Sequence, residues 1–413
     1  MNTKEYIYLC GPTVYNKVHI GNMRPIVTFD LMLRAIKYLK PNIKLIHNIT
    51  DIDDKIINRA KEENVSEEEI AQKYTQFYLD MLKAYNIKTI DYLPKVSEKI
   101  PFIESFINEL IKKNYVYESN GSYYFKTEKL DTYGEVSNNT LSNLQSEEPN
   151  LEKENSCDFA LWKNKTEGKT WNTKSLGVGR PGWHTECAAF VYELTKGRPL
   201  LIHGGGIDLK FPHHENENAQ FRALTNLPIC NEWIHIGIIN YKNQKMSKSL
   251  GNIVFADQFL EQYQNQTNAS NLFRLIILSS SIQSTIELND ELVNSLIKKN
   301  NQIQKIINYA LLNNLDYIVL DINPDIIDDL ANGKFSNVYK TLNELIKNFN
   351  SSKDEKYASM IFNIIKFLGF DVTNKNINDK TKLIYVQWKI ESSKKNFEKA
   401  DQLRKVLIDK NVI

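Results

Sequence analysis

Short apolar runs alternate with amphipathic stretches in the first part of the chain. Residues 5–10 predict a buried strand, and the following pattern predicts a helix from about Gly21 to Leu39. Residues 44–49 predict a second strand, and a further helix follows Asp51. Ser66-Glu67-Glu68-Glu69 is a capping box that opens another amphipathic helix. The strand–helix–strand order indicates a βαβ unit and therefore a parallel sheet.

The pattern changes between residues 95 and 178. Aromatic and turn residues become more frequent there, and the polar stretch 137–155 predicts a loop. We interpret 95–178 as an insertion that separates two halves of the sheet domain, residues 1–94 and 179–230.

The sheet pattern resumes after the insertion and then gives way to helices. Residues 199–203 predict a strand, Gly204-Gly205-Gly206 predicts a turn, and a helix is expected from about His213. Residues 231–290 are expected to form a linking fold, and 291–413 a helical domain. The helices predicted in that domain are 291–312, 335–349, 354–368 and 379–410.

Composition narrows the class of protein. The 413 residues are 42% hydrophobic and 25% charged, which is ordinary for a soluble protein of several domains. The net charge of +2 means that any nucleic-acid-binding surface must be local. No apolar run approaches the roughly 20 residues of a membrane span, and the N-terminus lacks the apolar segment of a signal peptide. We therefore expect a cytoplasmic protein without a membrane partner.

The four cysteines favour metal binding or packing over disulfides. They contain no CxxC pair and no dense framework, which fits a reducing compartment. The cysteines are Cys10, Cys157, Cys187 and Cys230.

Two short motifs point to phosphate binding. His19-Ile20-Gly21-Asn22 stands at the predicted start of a helix, where free N–H groups and a partial positive charge suit a phosphate. In Lys245-Met246-Ser247-Lys248-Ser249, two lysines flank serines in a predicted loop. Each string has a plain alternative, a chance match for the first and a solvated basic loop for the second. Their joint occurrence in this order predicts one ATP site that activates a carboxylate.

A second group of residues has metal-ligating chemistry. His213 and Glu217 are four residues apart and share one helix face. Cys10 ends the first predicted strand, and Cys187 lies in the Arg180–Cys187 segment. Since ligands bind above the carboxyl edge of a parallel sheet, the four side chains can converge on one Zn²⁺. Buried cysteines and a polar helix face are the alternative interpretation from spacing alone.

Longer blocks carry a family resemblance. The two phosphate motifs resemble the signatures of class I aminoacyl-tRNA synthetases, with Asn22 in place of the final histidine, a side chain that donates but is never cationic. Further blocks look like those of the cysteinyl-tRNA synthetase family, collinear from residue 6 to about 255 and more weakly beyond. These blocks are Cys10–Tyr15, Asn48–Lys55, Gly182–Cys187 and Gly204–Glu217.

The resemblance implies specific roles. By it, the zinc ligands are Cys10, Cys187, His213 and Glu217. Thr50 and Trp183 line the pocket for the cysteine side chain. The residues that face the aminoacyl-adenylate are Gly11, Thr13, Asn48, Gly206 and Asp208. Lys248 binds ATP, and His19, Asn22 and Lys245 act with it on the phosphates.

The resemblance also implies a fold and a set of partners. The expected architecture is a doubly wound, Rossmann-like parallel α/β catalytic domain split by an insertion, followed by an α-helical tRNA-binding domain. The expected partners are L-cysteine, ATP with Mg²⁺ and tRNA(Cys), and a monomer is expected.

The C-terminal segment is locally basic. Residues 380–413 contain nine Lys or Arg residues against four acidic ones, with Trp388 among them. A basic helix with an aromatic residue fits tRNA backbone and an unstacked base, although a solvated amphipathic helix has the same composition. Residues 395–404 resemble the end block of the family. Members continue beyond that block with a short tail, so we expect a shortened anticodon-binding module here.

Two rival functions remain at the level of sequence. An enzyme of the same ancestry that joins cysteine to an amino-sugar inositol shares the zinc and ATP blocks, but the 395–404 block favours tRNA. A non-catalytic relative that binds zinc and RNA is the other alternative. The retained residues Thr50, Trp183, Lys245 and Lys248 favour catalysis.

Overall fold

The computed structural model describes residues 4–140, 152–242, 244–246, 250–317 and 322–413. The strands are β1 (Glu5–Leu9), β2 (Ile43–His47), β3 (Ile90–Tyr92), β4 (Val116–Ser119), β5 (Ser122–Phe125), β6 (Phe159–Lys163), β7 (Trp171–Thr173), β8 (Gly177–Pro181), β9 (Leu200–Gly206), β10 (Cys230–Ile236), β11 (Ile239–Tyr241), β12 (Gln244–Lys245) and β13 (Ile286–Leu288). The helices are α1 (Ile20–Leu39), α2 (Asp54–Glu63), α3 (Glu67–Ala84), α4 (Ile100–Lys112), α5 (Trp183–Thr195), α6 (Glu215–Thr225), α7 (Ala256–Tyr263), α8 (Ala269–Leu278), α9 (Asp290–Leu312), α10 (Pro324–Ala331), α11 (Phe335–Ser352), α12 (Glu355–Phe367), α13 (Asp379–Ser393) and α14 (Phe397–Asp409).

The chain forms two compact units. The first comprises Met1–Phe29, Lys40–Leu82 and Lys88–Ile238, and the second comprises Asp30–Leu39, Lys83–Ile87 and Ile239–Ile413. Helix α1 contributes residues to both units. The five-part domain division drawn from the sequence stays a prediction.

The first unit is built on a parallel sheet with the strand order β10-β9-β1-β2-β3. Every strand pair in it is parallel, so the predicted parallel sheet is confirmed. The chain winds outward from β1 through β2 to β3 and later returns to β9 on the other side of β1. This reversal between β1 and β9 is the switch point at which such sheets bind ligands.

A second, antiparallel sheet lies in the same unit, mostly in the segment interpreted as an insertion, although β8 (Gly177–Pro181) continues past the predicted end of that segment at residue 178. Its order is β4-β5-β6-β8-β7. Large buried side chains of both sheets and their helices form one hydrophobic cluster, which includes Tyr8, Phe125, Trp162, Phe190 and Phe221. Most of the predicted loop 137–155 lies outside the described residues.

The capping box and the first strands agree with the sequence. Ser66 N–H donates to the Glu69 carboxylate (2.8 Å), and Glu69 N–H donates to Ser66 Oγ (3.2 Å), so two unpaired donors at the start of α3 are satisfied. Strand β1 is buried from Ile7 to Leu9, as expected of a central strand.

The predicted glycine turn is wrong, because Gly204–Gly206 is the end of β9. The glycines serve close packing instead. A Cβ at Gly204 would lie 2.1 Å from the Phe29 ring, and one at Gly205 would lie 2.9 Å from the His214 ring. The helix expected from His213 also differs, since a wide helical turn over Lys210–His214 precedes α6.

The second unit is mostly helical, with a small sheet in which β11 pairs antiparallel with β12 and parallel with β13. The predicted helices 291–312, 335–349 and 354–368 are confirmed as α9, α11 and α12, whereas α10 was not predicted. The predicted helix 379–410 is two helices, because the chain turns at Lys395, whose φ is +59°. Within the described residues, no helix is both long and apolar enough to cross a membrane.

Candidate active site

Three strand ends bring the candidate residues to one edge of the parallel sheet. Cys10 directly follows β1, Asn48 directly follows β2, and Gly206 ends β9. Cys10 is fixed by its own N–H, which donates to the Gly204 carbonyl (3.1 Å). The carboxyl edge at the switch point therefore presents a thiol between polar backbone groups.

Four potential metal ligands converge there. The ligand atoms of Cys10, Cys187, His213 and Glu217 all lie within 4.8 Å of one another. Glu217 Oε1 accepts from His213 Nε2 at 2.7 Å and from Cys10 Sγ at 3.4 Å. Cys187 is supplied by α5, His213 by the turn before α6, and Glu217 by α6 itself. The end of β1, helix α5 and the continuous segment of the turn and α6 thus place two sulfur atoms, one nitrogen and one oxygen around a common point.

The electrostatics of this cluster favour anionic donors. Burial raises the pKa of the Cys187 thiol, but hydrogen bonds to Cys10 and His213 outweigh it and hold that pKa at about 6. Burial raises the pKa of Cys10 well above its usual value, so the proton of the thiol pair stays on Cys10. Burial opposes charge on Glu217 as well, yet His213 and His203 hold its pKa well below the usual range.

The donor set fits Zn²⁺. Two thiols, one imidazole and one carboxylate make a four-ligand set of the kind that binds zinc. All four side chains are buried except Cys10, which is partly exposed, and the low pKa of Cys187 supplies a thiolate at neutral pH. The other two cysteines, Cys157 and Cys230, are buried, which agrees with packing.

Sequence reasoning missed the histidines on the far side of Glu217. His203 Nε2 donates to Glu217 Oε2 at 2.5 Å, and His214 Nε2 lies 3.5 Å from Cys10 Sγ. His214 in turn hydrogen-bonds through Nδ1 to His235 Nε2 at 2.9 Å. These contacts orient Glu217 and Cys10. No sequence signal could have found the contact of His203 with Glu217, because it depends on how β9 and α6 pack in the fold.

Trp183 lies against the imidazole of the cluster. Its ring stacks on the His213 ring with centroids 4.3 Å apart and planes 25° apart. His184 Nδ1 lies 3.0 Å from His213 Nδ1 on another side. The His213 ring is thereby held in one orientation, and Trp183, predicted to line the substrate pocket, is next to the candidate metal ligands.

Residues expected to face an adenylate form a hydrogen-bonded chain. Gly11 N–H donates to Asn48 Oδ1 at 2.8 Å, and Asn48 Nδ2 donates to Thr50 Oγ1 at 3.2 Å. Thr13 and Thr50 form an isolated parallel bridge. A Cβ at Gly11 would lie 1.7 Å from the Asn48 carbonyl oxygen, so only glycine fits this approach.

Thr50 has a further partner that the sequence did not indicate. Its hydroxyl donates to Glu186 Oε2 at 3.1 Å, and both side chains are buried. Because Thr50 Oγ1 donates to Glu186 and accepts from Asn48, it retains one lone pair, so any further partner must be a donor.

The His19–Asn22 motif lies at the start of α1, as predicted. Asn22 Oδ1 accepts from the His19 backbone N–H at 3.2 Å, so the Asn22 carbonyl oxygen closes the helix start while its NH₂ group remains exposed. Burial lowers the pKa of His19, and the charge of Asp208 partly offsets this effect. His19 and Asp208 are therefore electrostatic neighbours, and Asp208 lies close to Gly206, where a Cβ would meet its carboxylate at 2.3 Å.

The lysine motif belongs to the second unit. Lys245 is exposed in β12, and its carbonyl accepts from Asn252 Nδ2 at 3.2 Å. Lys248 lies outside the described residues. A single site formed from both phosphate motifs stays a prediction.

Comparison with known proteins gives the family. Residues 1–299 match the family described as the class I (C) tRNA synthetase catalytic domain. The chain is 41% identical to a cysteine–tRNA ligase of Mycoplasmopsis pulmonis, covering 98% of this chain and 65% of that protein. It is 39% identical to a cysteine–tRNA ligase of Malacoplasma penetrans, covering 98% of this chain and 95% of that one.

Solved structures agree on the fold. A Mycobacterium tuberculosis methionyl-tRNA synthetase in complex with methionyl-adenylate superposes with a TM-score of 0.64 at 12% identity, covering 90% of this chain and 89% of that one. The expected class I doubly wound fold, with helices at the C-terminal end, is thus confirmed. The chain belongs to the cysteine–tRNA ligase family of class I tRNA synthetases.

Proposed function

We propose that this protein joins L-cysteine to tRNA(Cys) through a cysteinyl-adenylate formed from ATP, in protein synthesis. The observation that carries the proposal is the buried cluster of Cys10, Cys187, His213 and Glu217 at the switch point of the sheet. The family match and the helix start at His19 support the nucleotide half of the reaction.

The cluster would hold one Zn²⁺ through those four side chains. When bound, zinc supplies a soft Lewis-acid centre that favours a thiolate over an alcohol. Such a centre is needed because cysteine and serine differ by one atom, and a pocket that uses shape alone separates such pairs by only about 10–200-fold. Recognition of the substrate sulfur makes a separate editing site unnecessary.

The chain's own polar groups would orient the amino acid. The lone pair that remains on Thr50 Oγ1 suits a donor such as the substrate ammonium or thiol, and does not suit a carboxylate. We assign the substrate amino group to Asp208 and the side-chain pocket to Thr50 and Trp183. The carboxylate is thereby left free to react.

Activation and transfer then follow in two steps. A carboxylate oxygen of cysteine attacks the α-phosphorus of ATP, and the bond to the leaving pyrophosphate breaks. The residues that stabilise the phosphate charge are His19, Asn22, Lys245 and Lys248, with Mg²⁺ carried by ATP. A ribose hydroxyl of the terminal adenosine of tRNA next attacks the carbonyl carbon, AMP leaves, and the hydroxyl proton is released, with the adenylate phosphate available as its acceptor.

Helices α13 and α14 are the proposed tRNA surface. The aromatic residue expected to stack on a base, Trp388, is only partly exposed and packs beside Tyr385, with ring centroids 5.6 Å apart. Phe397, at the start of α14, is 66% exposed and lies among the cations. It is the better candidate for base stacking.

One assay tests the proposal. Purified protein is given ATP and labelled cysteine with total tRNA, with an amino-sugar inositol acceptor, or with no acceptor, and pyrophosphate exchange is followed in parallel. We expect label on tRNA alone and cysteine-dependent exchange. Label on the amino sugar would assign the rival ligase activity, and absence of exchange with retained RNA binding would assign a non-catalytic protein.

Lys248 provides the matching variant. We expect Lys248→Ala to lower cysteine-dependent pyrophosphate exchange by about 10²–10³-fold, the usual cost of removing one preorganised charge-stabilising donor. Its zinc content should equal that of the wild type. Unchanged exchange would remove Lys248 from the ATP site.

A further inference from the structure

Helix α6 and the turn before it carry two of the four candidate metal ligands, His213 and Glu217. Glu215 and Asn216 lie between these two ligands. Both are held by a different part of the chain, residues 132–137 of the insertion. We propose that residues 132–137 act as a clamp that positions the metal ligands of α6. This inference rests on the proposed function and makes the insertion part of the metal centre.

The strongest contact of the clamp is a buried carboxylate. Glu215 is fully buried, and its two oxygens accept separately from the backbone N–H groups of Gly134 (2.9 Å) and Ser137 (2.8 Å). Gly134 has a φ of +103°, which favours glycine, so the turn that presents these N–H groups is specified by the sequence. Charge-assisted hydrogen bonds of this kind are about twice as strong as neutral ones.

The second contact is a buried tyrosine. The Tyr133 hydroxyl donates to Asn216 Oδ1 at 2.6 Å, and both residues are buried. Burial raises the pKa of Tyr133, so the hydroxyl keeps its proton and remains a donor. Gln220 Nε2 donates to two backbone carbonyl oxygens, those of Asn216 (2.9 Å) and His184 (3.0 Å). The clamp is therefore connected to α5, the helix that supplies Cys187.

An outer contact closes the clamp nearer to solvent. Arg222 donates to Glu135 through two nitrogens, at 2.5 and 2.9 Å, and Asn218 Nδ2 donates to the same carboxylate. Both side chains of the ion pair are partly exposed. The inner contacts at Glu215 and Asn216 should consequently matter more than this outer one, because exposed pairs contribute little.

Geometry gives the clamp its effect on the metal ligands. Glu215 and Asn216 lie between His213 and Glu217 along less than one and a half helical turns, so a shift of the clamped residues moves both ligands together. Metal affinity falls about 10–100-fold when groups that orient the ligands are removed in characterised metal sites. The clamp acts on two ligands at once, so its removal should lower the zinc affinity by a factor within that range.

The test compares two buried carboxylates of the same unit. Glu215→Gln replaces one acceptor oxygen of the clamp by an NH₂ group facing a backbone N–H. Asp158→Asn is the matched control, because Asp158 also accepts from two backbone N–H groups, those of Thr127 (2.9 Å) and Asn155 (3.1 Å), and its hydrogen bonds lead to Tyr117, Thr127 and Asn155 instead of α6. Zinc release from each protein is timed with excess 4-(2-pyridylazo)resorcinol, well below the melting temperature.

We expect Glu215→Gln to release zinc about 10-fold or more faster than the wild type, and Asp158→Asn to release it at the wild-type rate despite a similar loss of thermal stability. Tyr133→Phe, which removes a single hydroxyl, should give a smaller increase of about 2–5-fold and serves if Glu215→Gln does not fold. Equal release rates in the wild type and all three variants would make the clamp purely structural and overturn the inference. A wild type that holds no tightly bound zinc would instead overturn the metal part of the proposed function.

Discussion

Each unit of the molecule buries a group of charged side chains, and the two groups differ in whether their polar atoms are directed at one another or at a common point. In the second unit, the Asp30 carboxylate accepts from Arg34 Nε (2.9 Å) and Arg274 Nη2 (2.8 Å). Arg274 also donates to the backbone carbonyls of Tyr85 (2.8 Å) and Leu368 (3.2 Å). The carboxylate and both guanidinium groups thus bind one another and the ends of nearby helices, although the buried Arg274 Nε has no hydrogen-bond partner among the described residues.

The group in the first unit is organised in the opposite way. Cys187 and Glu217 are held as anions, and the donor atoms of Cys10 and His213 point at the same small volume. Burial lowers the pKa of His213, but Glu217 and Cys187 outweigh it and raise that pKa to about 10, so a proton lies between His213 and Glu217. Convergent ligand atoms need such a proton or a cation between them, and binding of a metal ion would displace the proton. The closed network of Asp30 is suited to holding the fold, whereas the convergent group is suited to binding an ion.

The largest expected effect concerns the closed network. Arg274→Ala should lower the free energy of unfolding by about 3–5 kcal/mol, because it removes one partner of a buried ion pair and leaves carbonyls unsatisfied. Urea denaturation measures this change. Zinc content of the folded fraction should be unaltered, since no candidate ligand belongs to this unit.

Lys399→Ala is the control for that variant. Its ion pair with Glu391 is largely exposed on the lysine side, with 59% of the lysine side chain accessible, so the unfolding free energy should stay within experimental error. If Arg274→Ala were as mild as Lys399→Ala, the network around Asp30 would not be a structural element of the second unit.

The next effect concerns the convergent group. Cys187→Ser should weaken zinc affinity by more than about 100-fold, because a hydroxyl does not supply the thiolate that Cys187 provides at neutral pH. Cysteine binding should weaken much more than ATP binding. Metal analysis after chelator competition and calorimetry measure the two changes.

Cys230→Ser is the matched control, since Cys230 is buried in the same unit but is not among the convergent ligands. It should keep its zinc. A Cys187→Ser protein with full metal content and normal cysteine affinity would exclude Cys187 from the site.

Local rules predicted the elements whose stability is local. The capping box of α3 needs only Ser66 and Glu69, which lie three positions apart in one segment, and the structure contains both of its hydrogen bonds. The break between α13 and α14 was not visible, because Lys395 takes a left-handed conformation without glycine. That turn lets Leu407 of α14 pack with Tyr385 of α13 in one buried cluster, which is a tertiary cause.

The same division holds for the site. The i, i+4 spacing of His213 and Glu217 predicts that they lie on one helix face, and the structure places His213 Nε2 and Glu217 Oε1 2.7 Å apart. The role of His203 could not be predicted from the sequence, because its contact with Glu217 depends on the pairing of β9 with β1 and on the position of α6. The turn predicted at Gly204–Gly206 is wrong for the same reason. Gly204 is needed because the ring of Phe29, which is distant in sequence, leaves no room for a side chain there.

His47 offers a closed counterpart to the convergent group within the first unit. Its Nδ1–H donates to the Leu9 carbonyl (2.8 Å), and the Tyr78 hydroxyl donates to its Nε2 (2.6 Å), so the neutral ring is satisfied. Burial lowers the pKa of His47 to about 4, below the roughly 6.5 of an unfolded chain. The unfolded state therefore binds this proton first, and the stabilisation present above pH 6.5 is lost as the pH falls towards 4.

We expect this residue to account for about 2 kcal/mol of the stability lost between pH 7 and pH 5. His47→Gln keeps a donor and an acceptor without titrating in this range. The difference between the two proteins in urea denaturation at pH 7 and pH 5 isolates the contribution, because the other titrating groups cancel. If the free energy of unfolding changed equally with pH in both proteins, protonation of His47 would not destabilise the folded state.

The smallest expected effect separates structure from chemistry at the start of α1. Asn22 Oδ1 accepts from the His19 N–H, and its NH₂ group is the proposed phosphate donor. Asn22→Asp keeps the accepting oxygen and places a negative charge at a helix N-terminus, which favours folding by about 0.3–1 kcal/mol. The same change removes the donor and repels ATP, so the rate of pyrophosphate exchange should fall by about 10-fold or more. A variant that is less stable and fully active would reverse both assignments and make Asn22 a residue of the fold alone.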